Sequence, residues 1–116
     1  MTTVINEEIN RLQAKINSLQ KIDKIVTFVQ VRNKMDLNYM NSVPNTIDKQ
    51  MCRHEIVYCL KYILKKDITY KMITSITKTD HACCIHSIKA INDMIATNKK
   101  YAEDLTYFIN GVECPF

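Results

Sequence analysis

A chain of 116 residues with one glycine, Gly111, and two prolines, Pro44 and Pro115, is nearly without the glycines that most easily turn a β-sheet corner. Sandwiches and barrels need glycine, or another residue tolerant of positive φ, at successive tight turns, and phosphate loops need several glycines together. Helices joined by short polar turns are what remains, so the expected class is all-α. The length suits one domain, or a small domain plus an extra helix, with a core of modest size.

Hydrophobic spacing divides the chain. Ile5, Ile9, Leu12, Ile16 and Leu19 follow one another at 4, 3, 4 and 3 residues with polar residues between, which is a heptad seam. Leu19 to Ile22 repeats the spacing of 3 before Val26 and Val29 continue the stripe, so the seam changes winding or ends there. A helix is expected over about residues 4–38. Asn41, Ser42, Pro44 and Asn45 then form a breaker cluster, placing a boundary between residues 1–44, a long amphipathic helix for oligomerisation or partner binding, and a bundle over 45–116. The seam has two readings: it packs back on the bundle, or it pairs with its copy in a homodimer, and the pattern leans to the dimer.

Within the bundle, Asn45 or Thr46 can cap a helix carrying Ile56, Leu60, Ile63 and Leu64 on one face and closing on Lys65 and Lys66. Thr69 can cap two turns bearing Met72, Ile73 and Ile76. The polar tripeptide Thr77-Lys78-Thr79 leads to a new start at Asp80, and Cys84, Ile88, Ile91 and Ile95 line one face of the helix that follows. A last helix shows Tyr101, Leu105 and Phe108 on one face and is expected to stop near Gly111.

A short helix, a three-residue polar turn and a longer amphipathic helix opening on Asp-His form a helix-turn-helix, the unit that seats a helix in the major groove. The segment Thr79-Asp80-His81-Ala82-Cys83-Cys84-Ile85-His86-Ser87-Ile88-Lys89-Ala90-Ile91 resembles the signature of the DNA-binding domain that ends the bacterial replication initiator DnaA. That signature runs Arg/Lys, Asp, His, Thr, Thr, Val, Leu/Ile, His, Ala, any residue, Arg/Lys, Lys, Ile; Asp80, His81, Ile85, His86, Lys89 and Ile91 fall on matching positions. Upstream, His54-Glu55-Ile56-Val57-Tyr58-Cys59-Leu60 with Leu64 is similar to the family's Arg-Gln-Ile-Ala-Met-Tyr-Leu helix. Downstream, Tyr101-Ala102-Glu103-Asp104-Leu105 with Phe108-Ile109 is similar to its closing helix, so residues 46–110 are covered.

The resemblance implies a DnaA-like bundle containing a helix-turn-helix that binds double-stranded DNA sequence-specifically, as a transcriptional regulator or replication accessory. His81 is the expected reader of base edges, and Asp80 the helix cap with DNA contact as a second role. Ala82, Cys83, Ile85 and His86 share the same helix start. Arg53, Lys61, Lys65, Lys71, Lys78 and Lys89 are expected phosphate ligands, with His54 where the family has an arginine. Ala82 and Cys83 replace two threonines, so the initiator's own box is not the expected target. This departure motivates an alternative: a protein-interaction module, or an inhibitor of an initiator or repressor, that keeps the fold without binding DNA.

Charge agrees with a nucleic-acid partner while being common on solvated surfaces: residues 45–100 carry ten Lys/Arg against five Asp/Glu, within a net charge of +4. No Gly-Lys-Ser/Thr occurs, so no ATPase loop is expected. The five cysteines, Cys52, Cys59, Cys83, Cys84 and Cys114, include no CxxC pair and are expected as reduced thiols in a cytoplasm. Zinc is not expected, because the Cys and His spacings match no usual finger and Cys84 belongs to an apolar face. Neither a catalytic Cys-His pair nor any other enzymatic centre, cofactor, signal peptide or membrane span is expected.

Overall fold

The computed structural model of the protein describes residues 2–113, and these form six α-helices with a single 3-10 turn. They are α1 (Thr2–Asn33), α2 (Leu37–Met40), α3 (Ile47–Leu64), α4 (Tyr70–Thr77), α5 (His81–Thr97) and α6 (Lys99–Glu113), with the 3-10 turn at Lys65–Asp67 between α3 and α4. No strand occurs among the described residues, as the glycine count demands. Cys114 lies outside them.

The caps are local chemistry. Thr46 accepts from the Lys49 amide, Thr69 from the Met72 amide and Asp80 from the Cys83 amide, each supplying an acceptor to a first-turn N–H that has no partner inside its helix. Each such cap contributes about 1 kcal/mol. With glycine so scarce, left-handed positions fall to lysine: Lys34 and Lys78 have φ of 57° and 56°. At Lys34 the Met35 amide donates to the Gln30 carbonyl and the Lys34 amide to the Val31 carbonyl, the paired closure of a helix end.

That closure ends α1 at Asn33, where the sequence predicts a helix to about residue 38. Asp36 caps a separate one-turn helix, α2, through the Tyr39 amide at 2.7 Å. A second difference lies at the other end: α6 runs through Gly111 to Glu113, and Gly111 does not have positive φ. Val112 is buried just beyond it, so packing holds the chain helical past a residue that would otherwise end it.

α3 is the central helix. It packs against α1, α2, α4, α5 and α6, and Ile56, Val57, Cys59 and Leu60 are fully enclosed. Around it lie Ile73 of α4, Cys84 and Ile91 of α5, and Leu105 and Ile109 of α6. Ile22, Ile25, Val26 and Val29 of α1 and Met40 of α2 belong to the same core. The boundary expected at residue 44 therefore does not divide the hydrophobic interior. α1 itself divides: residues 3–17 are exposed around the whole circumference, and burial begins at Ile22. A 32-residue helix is about 48 Å long, and its free half stretches the molecule to 56 Å against 30 and 24 Å in the other directions.

A buried carboxylate holds α1, α3 and α6 together. Glu55 accepts from Arg32 Nε at 3.1 Å, Asn33 Nδ2 at 2.8 Å and Tyr101 Oη at 2.7 Å. Arg32 also lies over the Phe108 ring, 5.1 Å from its centroid.

Candidate nucleic-acid interface

The turn between α4 and α5 sets the site. Lys78 in the left-handed region turns the chain back, the Thr79 amide closes on the Thr74 carbonyl, and Thr77 and Thr79 share a hydroxyl contact of 2.7 Å. Asp80 then begins α5. Its carboxylate receives the Cys83 amide at 2.8 Å, and the bond from that amide holds its pKa below the usual carboxylate range.

The helix that follows is two-faced. Cys84, Ser87 and Ile91 are buried toward α3 and α4, whereas His81, Ala82, Cys83, Ile85, His86 and Lys89 are exposed. Cys84 thus serves as a small apolar core residue, its thiol pushed up by burial. Cys52 and Cys59 on α3 are buried thiols raised by desolvation to about 11 and about 12, and Cys83 is the exposed one among the described cysteines. Among the described residues no group of three or more His, Cys, Asp or Glu side chains is arranged to hold a metal ion.

Two expected residues, His81 and Lys61, come together around one ring. Tyr70, at the start of α4, packs on His81 with centroids 4.4 Å apart, and Lys61 of α3 places its ammonium 4.5 Å from the same Tyr70 centroid. Lys61 is further directed by the carbonyls of Lys65 and Ile68, both at 3.5 Å. Tyr70 carries no charge and sits outside the motif, so sequence reasoning passed over it. Its position at the first turn of the helix capped by Thr69 was the available signal. Lys65, Lys71, Lys78 and Lys89 are exposed.

Arg53 and His54 are differently engaged. Arg53 donates to the Met40 carbonyl at 2.9 Å and to Asn45 Oδ1 at 3.4 Å, so its head is tied to the segment linking α2 and α3. His54 is half-buried against α5, with Nδ1 2.8 Å from Ser87 Oγ and its ring edge-on to His86 at 5.7 Å. Desolvation, then the His86 and Arg53 charges, lower its pKa. Both therefore support neighbouring backbone or helix faces, a role absent from their expected one as phosphate ligands. Lys49 is a buried cation that the sequence did not single out: its ammonium donates to the Pro44 carbonyl at 2.9 Å and Ser42 Oγ at 3.0 Å while lying over the Tyr39 ring.

No described helix is long and apolar enough to cross a membrane. Comparison of the chain with models of known families, with curated proteins and with solved structures yields no match.

Proposed function

We propose that the chain binds double-stranded DNA sequence-specifically by seating the first turns of α5 in the major groove, as a transcriptional regulator or replication accessory in the cytoplasm. The observation that carries this reading is the open face of α5, where His81, Ala82, Cys83, Ile85, His86 and Lys89 are all exposed behind a capped turn. A helix presented by its N-terminal turns, braced by a shorter helix, is the geometry of major-groove readers. The resemblance to the initiator's DNA-binding domain supports it further.

The residues divide by chemistry. His81 is the hydrogen-bonding reader, its ring oriented by Tyr70. Ala82, Cys83 and Ile85 offer no strong donor, and Ile85 is 53% exposed, so they suit contact with thymine methyl groups. Lys65, Lys71, Lys78 and Lys89, with Lys61 beside Tyr70, supply charge for phosphates, which fixes position without reading sequence.

Selection of bound duplexes from a random pool followed by fluorescence anisotropy tests this. Binding should fall steeply with salt, His81→Ala should cost about 1–3 kcal/mol of discrimination, and replacing contacted thymines by deoxyuridine should weaken binding. The apolar character of the same face favours a second reading, a module that docks on an initiator or repressor protein. Absence of salt-sensitive duplex binding at low ionic strength would refute the first reading and leave that one.

A further inference from the structure

The free half of α1 carries an apolar stripe that none of the described residues covers. Ile5, Ile9, Leu12, Ile16 and Leu19 are 58, 56, 45, 48 and 49% exposed, while Ile22, one residue short of the next seam position, is 7% exposed and faces the bundle. The repeated spacing of 3 is where the stripe rotates from outside to inside. An isolated helix of this length is marginal in water, and a sustained seam without a partner exposes its apolar edge along several turns.

We propose that this half pairs with the same half of a second copy as a two-stranded antiparallel coiled coil, with Ile9 against the partner's Leu12 and Glu8 against the partner's Lys15. Ile9 and Ile16 occupy the a positions, and Ile5, Leu12 and Leu19 the d positions, of a continuous heptad. The g positions are then Glu8 and Lys15, and the e positions Asn6, Gln13 and Gln20.

Charge settles direction and register. In a parallel pair each g faces the following e, which sets Glu8 on Gln13 and Lys15 on Gln20 and forms no ion pair. In an antiparallel pair g faces g, and the register above makes two Glu8–Lys15 pairs by symmetry. A shift of one heptad either way sets Glu8 on Glu8 or Lys15 on Lys15. Two such helices bury on the order of 1,000 Å² in total, the lower end of specific interfaces. The pairing is therefore reversible, and the two bundles depart from opposite ends of the coil. Its geometry does not depend on what α5 binds.

Sedimentation of the full chain at low salt tests it. A dimer is expected at about 100 µM, and Ile9→Glu with Leu12→Glu should give a monomer with its thermal unfolding intact, because both residues lie outside the core. Glu8→Lys or Lys15→Glu alone should raise the dissociation constant about tenfold, and the two together should restore it. Restoration also separates the pairing from the exposed Glu8–Arg11 contact within one helix, which the double variant still lacks. Spin labels at Gln20→Cys, with Cys83→Ser and Cys114→Ser, should lie about 30 Å apart. A chain monomeric at that concentration, a dimer that survives the seam substitutions, charge reversals that fail to compensate, or labels under about 15 Å apart would each overturn the proposal.

Discussion

Replacing Glu55 by alanine should loosen the joint between α1, α3 and α6 more than any surface change. The carboxylate is 3% exposed and receives the Arg32 guanidinium, the Asn33 amide and the Tyr101 hydroxyl. Breaking a fully buried ion pair costs about 3–5 kcal/mol, because the remaining charge is stranded. Here the Arg32 side chain keeps 23% exposure and recovers part of its hydration, while Asn33 and Tyr101 each lose a bond to a charged acceptor. The expected loss is about 3 kcal/mol, or a fall of roughly 12 °C in Tm for a domain of this size. Tyr101→Phe should cost about 1.5 kcal/mol, and the double variant should cost about 1–2 kcal/mol less than the sum. Burial and the neighbouring Glu55 carboxylate raise the Tyr101 pKa above the ordinary phenol range. The folded state thus holds its proton more tightly than the unfolded chain, so this stability is complete below about pH 10 and declines as pH rises beyond it. Urea unfolding at pH 7 and 11, followed by circular dichroism, measures all of this. A coupling energy under about 0.5 kcal/mol between the two substitutions, or an alkaline loss that persists unchanged in Tyr101→Phe, would refute the reasoning.

Lys78→Gly relieves a non-glycine left-handed residue and should stabilise the protein by about 0.5–1 kcal/mol in denaturant unfolding, yet weaken DNA binding and lower its salt slope by about 0.9. Removing residues 1–19 should leave the bundle's Tm nearly unchanged, whereas removing 1–40 takes away Ile22, Ile25, Val26, Val29 and Met40 and should abolish cooperative unfolding in calorimetry. His54 has a folded-state pKa below its ordinary value, so its contribution is present above about pH 6.5 and fades as pH falls through that range. His54→Gln should flatten the acid side of a Tm-versus-pH curve.

The all-helical class, the caps at Thr46, Thr69 and Asp80, and the tight turn at 77–79 were legible because each is decided within a few residues of backbone. A side chain either reaches an unpaired first-turn N–H or it does not, and a chain with one glycine has few ways to turn a sheet. The open face of α5 was legible for the same reason, since Cys84 and Ile91 recur at helical spacing. Tertiary packing decided the rest. The heptad stripe of α1 reads continuously until its skipped step, but only the bundle's surface shows that Ile22 turns inward and Leu19 does not. Gly111 carries a stop signal that the buried Val112 overrides. Arg53 and His54 have the composition of phosphate ligands and are claimed by Met40, Asn45 and Ser87, while Glu55 meets Arg32 and Tyr101 across separations of 23 and 46 residues. Local sequence determines which backbone groups can close on one another within a turn; which side chains lose water together depends on helices meeting from distant parts of the chain.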